Sequence, residues 1–513
     1  MSLQQTPEVG LARRRVEALR ERLRRDTGEP VALIETHISW VLLTRQMAYK
    51  LKKPVALGFV DFRTLDARRR FCEEELRLNR RLAPALYVAV LPVCGTDEAP
   101  HLGGAGAAID FAVSMHRFSE DALLRRLLSA DGPIETWIEQ LGHHLATFHA
   151  QAAVAAQETP FGGPALAGRP AIQTLARLRM AGGARPPAPL RAWVFEQARA
   201  LRTAWAARKR DGWVRECHGD LHLENLVLLD GSLTAFDCIE FDPALRWIDV
   251  MGDIAFLTMD LKAHGRPDLA WRFLDAYLQR GGDYAGLPVL RFYEVYRALV
   301  RALVTRLRGA TDMPDYLALA SRLAHEADGA PRLMITHGLS GSGKSTLAAS
   351  LVSATGSIRI RSDVERKRLF GLSALDRSNE RNHEVYSEDA TRRTFARLAQ
   401  CARLGLQAGY PVIVDAAFLR REERMAFRAL AAELRVPFAI LACRATQAQL
   451  RRRVAARGLE GRDASEATVA VLERQLATHE PLAPNELGFA LEVATDQPVD
   501  LVALAARWMA RRH

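Results

Sequence analysis

The sequence predicts two unlike bodies in one chain: an α+β bilobal domain over residues 1–330, then an α/β domain over residues 331–513 with a mostly parallel, doubly wound sheet. Three observations predict this. A length of 513 residues exceeds one ordinary domain and suits two or three. After one amphipathic helix the first half runs strand-strand-strand-helix-strand-strand and continues mostly as helices, whereas the second alternates strand and helix. Between them, Ala327-Asp-Gly-Ala-Pro331 is a break of small and turn-forming residues.

In chain order, Leu11–Arg25 has the period of a charged amphipathic helix, and Val31–Glu35, Trp40–Thr44 and Ala48–Lys52 read as three strands of an antiparallel meander. A long helix is expected over Leu65–Leu82, then strands over Val88–Val93 and Phe111–Met115. Helices are expected over Ala122–Leu128, Ile134–Gln151 and Leu190–Arg208. The Gly-, Pro- and Ala-rich stretch 157–189 is expected to be an irregular excursion with a short helix inside. Trp213–Asp242 is β-rich, and helices resume to about His325. Beyond the break, strands are expected at Arg332–Thr336, Ile358–Ile360, Pro411–Asp415, Phe438–Ala442 and Phe489–Val493, with helices between and a last helix at Leu501–Arg512. That alternation predicts a parallel sheet covered on both faces.

Composition excludes several classes. The chain is 49% hydrophobic and 26% charged, which is ordinary globular chemistry with ample core material. The net charge of +11 would suit anionic substrates or nucleic acid, but solvated arginine faces account for it better. No run of about 18 apolar residues suggests a membrane span, and MSLQQTPEVG lacks the charged-then-apolar pattern of a signal peptide. The six cysteines (Cys72, Cys94, Cys217, Cys238, Cys401 and Cys443) show no CxxC spacing. They read as reduced, mostly buried thiols of a cytoplasmic protein, with no zinc site.

Gly338-Leu-Ser340-Gly341-Ser342-Gly343-Lys344-Ser345 fits the phosphate-binding loop G-x-x-x-x-G-K-[ST] and lies between an expected strand and a helix at Thr346–Val352. Its backbone N–H groups suit the β- and γ-phosphates of ATP, Lys344 adds charge, and the Ser345 hydroxyl suits Mg²⁺. Asp363, after the second strand, is placed to activate a substrate hydroxyl. Asp415 ends an apolar strand, where it would hold Mg²⁺ or orient the acceptor, or simply cap the turn. Arg453 and Arg457 are four apart on an expected helix, either a lid over the triphosphate or a solvated basic face.

A second constellation stands earlier. His218-Gly-Asp220-Leu-His222-Leu-Glu-Asn225 fits H-x-D-x-x-x-x-N, followed by Phe236-Asp237-Cys-Ile-Glu240. At this spacing Asp220 can take the proton of an attacking hydroxyl, while Asn225 and Asp237 supply hard oxygen ligands for Mg²⁺.

HGDLHLEN with FDCIEFD resembles the aminoglycoside phosphotransferase and choline kinase superfamily, which shares the protein-kinase fold and phosphorylates small-molecule hydroxyls. The resemblance implies a lysine holding the α/β-phosphates: Lys50, with Lys52 on the same strand face as the alternative. It implies a helix glutamate partner, Glu75 or, second, Glu74. It places residues 113–117, with Met115 among them, beside adenine, and puts His222 and Glu240 toward the acceptor. No glycine-rich loop covers the phosphates; Ile34–Ser39 stands there instead. The segments RSDVER and VIVDAAF resemble small P-loop kinases, the polynucleotide 5′-hydroxyl kinases and zeta-toxin-like kinases among them. That resemblance implies Asp363 as base, Arg366 on an acceptor phosphate and Arg457 as the lid arginine; Thr346 completes the loop's nucleotide contacts. With ETHISW, AYKLKKPV, LNRRLAP and RWIDV, the whole chain resembles the fused aminoglycoside phosphotransferase/ATP-binding proteins.

The sequence therefore reads as an enzyme with two kinase-type sites, each using ATP and Mg²⁺ on a small-molecule hydroxyl. Two alternatives stay open at this level. One is a nucleic-acid end-processing protein with a 5′-hydroxyl kinase half, and the other is a kinase regulated by a nucleotide-sensing half. Oligomeric state is not legible.

Overall fold

A computed structural model describes residues 7–58, 60–325, 330–376, 382–460 and 464–511. Packing divides the chain into two compact units. The first holds residues 1–137, 151–162 and 212–253; the second holds 138–150, 163–211 and 254–513. The expected division at 330 separates two sequence patterns, whereas packing groups most of the intervening helices with the parallel sheet.

The first unit is built on a six-stranded antiparallel sheet. Its order is Ala32–Glu35, Ser39–Leu43, Met47–Lys52, Ala108–His116, Tyr87–Gly95 and Pro100–Leu102. Alternation along Met47–Lys52 decides what each face meets. Leu51 joins Trp40, Leu42, Val93 and Ala112 under the helix Pro7–Thr27, through its Val16 and Leu19. Lys50 and Lys52 point to the other face, where the helix Leu65–Asn79 packs through Cys72 beside Val113 and Tyr87. Thr64 caps that helix, its hydroxyl accepting from the Ala67 N–H at 3.1 Å. The last strand of the sheet, Pro100–Leu102, lies outside the predicted set, being only three residues long. Trp247–Asp249 is another short unpredicted strand, and it pairs with Val214–Glu216.

The second unit contains a five-stranded sheet that is wholly parallel, ordered Ile358–Arg361, Val412–Asp415, Leu333–His337, Phe438–Arg444 and Ala490–Ala494. The fold class is thus α+β kinase-like followed by α/β, as the sequence predicts. Every central strand is apolar on both faces because helices cover both. Lys344–Thr355 and Leu501–Met509 close one side through Leu347, Leu351, Leu504 and Trp508.

Two helical expectations need correction. Leu190–Arg208 is two helices, Ala188–Ala200 and Arg202–Arg210, broken at Leu201 so that Trp205 turns into the core. Ala122–Leu128 is a 3₁₀ turn, Glu120–Ala122, and a short helix, Leu124–Leu127, separated by the extended Leu123. The stretch 157–189 holds a helix, as expected, at Arg169–Met180, which buries Ala171, Leu175 and Leu178 at helical spacing. All six cysteines are free and buried. Among the described residues no helix is long and apolar enough to cross a membrane.

Candidate functional site

The first site lies wholly within the first unit. Lys50 Nζ sits 2.8 Å from Glu75 Oε1 and 2.5 Å from Asp237 Oδ1. Lys52 Nζ sits 2.7 Å from Glu75 Oε2 and also bonds Glu240. Glu75 therefore divides its two oxygens between the two lysines. Burial pushes its carboxyl up, but Lys50 and Lys52 outweigh that and hold it below the usual carboxylate range. The lysines differ in access: the Lys52 side chain is 0% exposed and that of Lys50 14%. Lys52 is thus no solvated strand-face residue; it is closed between two carboxylates. Glu240, expected toward the acceptor, is instead buried on Lys52, because only a carboxylate offsets an ammonium with no water around it. Glu74 pairs with Arg77 and Arg246, so the lysine partner is Glu75.

Asp237 stands in the left-handed region at φ 63, and its N–H donates to the Tyr87 hydroxyl at 3.2 Å. Aspartate tolerates this conformation better than most residues. It brings the carboxylate, 43% exposed, to the open side of Lys50. Beside it, Cys238 N–H donates to Asn79 Oδ1 at 2.9 Å, which fixes the segment after the strand Ser232–Ala235 to the glutamate helix.

The Asp220 loop is held at both ends. The Asp253 carboxylate accepts from the N–H groups of His218 at 3.0 Å and Gly219 at 2.8 Å. Asn225 Nδ2 donates to the Asp220 carbonyl at 2.9 Å and to Asp220 Oδ2 at 3.1 Å, leaving its amide oxygen as the atom for a metal. His222 Nδ1 accepts from the Glu224 N–H at 3.2 Å, so the neutral ring carries its proton on Nε2, 3.3 Å from Asp220 Oδ2. His222 is buried and engages Asp220, not the acceptor space expected for it, because its ring is fixed from both sides. Met115, half-buried on the strand Ala108–His116, is opposite Ala48 in the next strand. Asp253 carries no motif spacing, and nothing in the sequence marks it.

The second site lies wholly within the second unit, at the end of the central strand Leu333–His337, where the strand order reverses. Gly338 adopts φ 142, and a Cβ there would sit 2.4 Å from the Cys443 carbonyl oxygen. At Gly341 a Cβ would sit 2.8 Å from the Leu450 carbonyl oxygen, so the loop lies flat against the helix Gln447–Glu460. The Ser340 N–H donates to Gln475 Oε1 at 2.9 Å, and Ser342 is buried. Gly343 caps the helix Lys344–Thr355, on which Thr346 is exposed. Lys344 Nζ donates to the Leu339 carbonyl at 2.8 Å, folded along its own loop, and burial lowers its pKa. Ser345 Oγ donates to Asp415 Oδ1 at 3.1 Å, while Asp415 Oδ2 is buried and makes no hydrogen bond among the described residues. Two oxygen ligands side by side, one of them on a carboxylate whose second oxygen is buried with Arg359 and Arg361 no nearer than 3.9 and 3.8 Å, fit a hard divalent cation.

Asp363, at the start of the helix Ser362–Leu369, and Arg457 both act electrostatically on Lys344, the first attracting and the second repelling. Arg453 departs from its expected place over the triphosphate. Its guanidinium donates to the Thr495 carbonyl at 2.6 Å, Thr495 Oγ1 at 3.0 Å and the Gly341 carbonyl at 3.3 Å, so it clamps the loop from outside. Arg366 is buried, donating to the Val385 carbonyl at 3.1 Å and Thr391 Oγ1 at 3.2 Å and lying over Tyr386. Thr495 and Gln475 are the loop contacts that sequence reasoning missed.

Residues 333–482 match the AAA domain family. Uncharacterized proteins of Mycobacterium tuberculosis and Mycobacterium bovis are each 31% identical to this chain over 463 residues, 88% of this chain and 91% of theirs. The chain belongs to their family. It has the fused organisation expected from the sequence, a kinase-like half joined to a P-loop kinase half. Solved structures it resembles include a gluconokinase from Sinorhizobium meliloti, at 23% identity over 36% of this chain and 93% of that one, with a TM-score of 0.26. Another is a choline/ethanolamine kinase family protein from Mesorhizobium loti, at 15% identity over 60% and 92% of the two chains, with a TM-score of 0.37. With a phosphate-binding loop in one half and the Lys50–Glu75–Asp237 and Asp220–Asn225 sets in the other, the chain is an ATP-dependent phosphotransferase of kinase type.

Proposed function

We propose that both halves, divided at 330/331, transfer the γ-phosphoryl group of ATP to a hydroxyl of a small molecule in the cytoplasm. The acceptor class is a sugar, an aminoglycoside-like compound or a nucleotide-sugar metabolite. The observation that carries this is Lys50 set between Glu75 and Asp237. A half serving only as a binding module has no need of that triad beside an anchored Asp220.

In the first half, Lys50 meets the α- and β-phosphates once Asp237 turns to the metal, and Met115 borders adenine. Asp220 takes the acceptor's proton, its carboxylate aimed by Asn225 and His222. In the second, the loop N–H groups and Lys344 hold the triphosphate, Asp363 takes the acceptor's proton, and Arg457 faces the charge spreading on the γ-phosphoryl oxygens. Arg366, a buried cation, suits an anionic acceptor. Asn225 with Asp237, and Ser345 with Asp415, would hold Mg²⁺, which neutralises phosphate charge.

The test uses γ-labelled ATP with a mixture of cytoplasmic metabolites and short RNAs. Wild type is compared with Asp220→Ala and Asp363→Ala. Two small-molecule products, each lost in one variant, are expected. Label confined to RNA 5′ ends, lost only with Asp363→Ala, would replace this reading with nucleic-acid end processing.

A further inference from the structure

Arg359 lies on Ile358–Arg361, the edge strand of the parallel sheet. Its guanidinium reaches both the P-loop and a helix that precedes the break at residues 327–331 and belongs to the same unit. Nη1 donates to the Ser345 carbonyl at 3.2 Å and stands 3.9 Å from Asp415 Oδ2. Nη2 donates to Asp275 Oδ2 at 2.6 Å, with only 10% and 12% of the two side chains exposed. Asp275 belongs to the helix Pro267–Gly281.

That helix also fixes the surrounding backbone. Gln279 Nε2 donates to the Arg359 carbonyl at 3.0 Å and to Asp275 Oδ1 at 3.2 Å. Arg368, on the helix that begins beside Asp363, donates to the Gln279 carbonyl at 2.6 Å. Strand and base-bearing helix are thus both seated on Pro267–Gly281.

Arginine keeps its charge at any working pH, so a buried guanidinium must be answered by a carboxylate. Asp275 answers Arg359. Without it the nearest carboxylate to Arg359 among the described residues is Asp415, 3.9 Å away, whose Oδ2 accepts no hydrogen bond from them. A direct pair there would occupy the oxygen that a divalent cation needs. Arg361, 3.8 Å from the same oxygen, already adds positive charge.

We propose that Asp275 is a positioning residue for the P-loop site: it holds the Arg359 guanidinium off Asp415 and so keeps the Ser345–Asp415 pair open to the cation that accompanies the nucleotide. This rests on reading that loop as an Mg²⁺–nucleotide site.

The experiment uses the full chain carrying Asp237→Ala, which silences the metal set of the first half. ADP is titrated calorimetrically with and without Mg²⁺. Asp275→Asn should reduce the Mg²⁺-dependent gain in ADP affinity on the order of tenfold, about 1.4 kcal/mol, and leave metal-free ADP affinity unchanged. Adding Arg359→Gln to Asp275→Asn should restore the gain. If both variants instead weaken metal-free ADP binding and the second substitution adds to the loss, Asp275 is merely structural and the proposal is overturned. An unchanged gain in Asp275→Asn overturns it while the P-loop reading stands. No Mg²⁺-dependent gain even with Asp275 intact overturns both.

Discussion

Lys52 and Glu75 form an ion pair of 2.7 Å in which neither side chain is exposed. Lys50, two residues earlier, shares the same carboxylate yet reaches the surface. The two lysines should therefore fail differently. Lys52→Met leaves the buried Glu240 without its cation and Glu75 with Lys50 alone, and should cost about 3–5 kcal/mol in urea unfolding of the full chain. Lys50→Met should unfold closer to wild type but lose on the order of 10²-fold or more in kcat/KM of the first-half reaction. The reverse pattern would give the phosphate role to Lys52.

His222 is held by the Glu224 N–H and directs its proton at Asp220. His222→Leu removes that restraint without touching the phosphates. A fall of about 10–100-fold in kcat is expected, with KM for ATP little changed. A rise in KM at constant kcat would instead place His222 on the nucleotide.

Gly338 has neither room nor backbone freedom for a side chain. Gly338→Ala should destabilise the second unit by roughly 2–4 kcal/mol and abolish nucleotide binding at its loop. Urea unfolding together with ADP titration measures both. Wild-type stability in this variant would mean that the loop shifts freely past Cys443.

His337 donates through Nδ1 to the Phe418 carbonyl at 3.0 Å, and burial pulls its pKa from 6.5 to about 4. Between those values the unfolded chain takes up a proton that the folded chain refuses. Stability should therefore fall as pH drops from about 6.5 to about 4 and level off below. His337→Gln should flatten that part of the unfolding-versus-pH curve; an equal slope in both proteins would assign it to other groups.

Residues 338–345 and 218–225 were legible because their chemistry is local: glycines, lysine, aspartate and asparagine do their work within one loop. Arg453 was misplaced because its partner Thr495 arrives just beyond the strand Ala490–Ala494, and strand order is not written in any local window. Period-two alternation puts Lys50 and Lys52 on one face equally well. What separates them is Glu240, delivered from 188 residues away. Periodicity runs unbroken through Leu201, so the sequence predicts one helix where the chain makes two; the break is decided by where Trp205 must go. The parallel sheet was legible from apolar runs ending in turns, but the seating of its edge strand on Pro267–Gly281 depends on contacts that no spacing encodes.

The covered thiols make the chain its own stopwatch. Cys72, Cys94, Cys217 and Cys238 belong to the first unit, and Cys401 and Cys443 to the second. A chromogenic disulfide added to native protein can react only as fast as the fold breathes. Burial lifts the thiols of Cys72 and Cys443 to about 12, so a reagent that merely seeps in meets no thiolate. The order in which the two sets are labelled, read by peptide mass, tells which unit opens first, and nucleotide added beforehand tells which one it fastens shut.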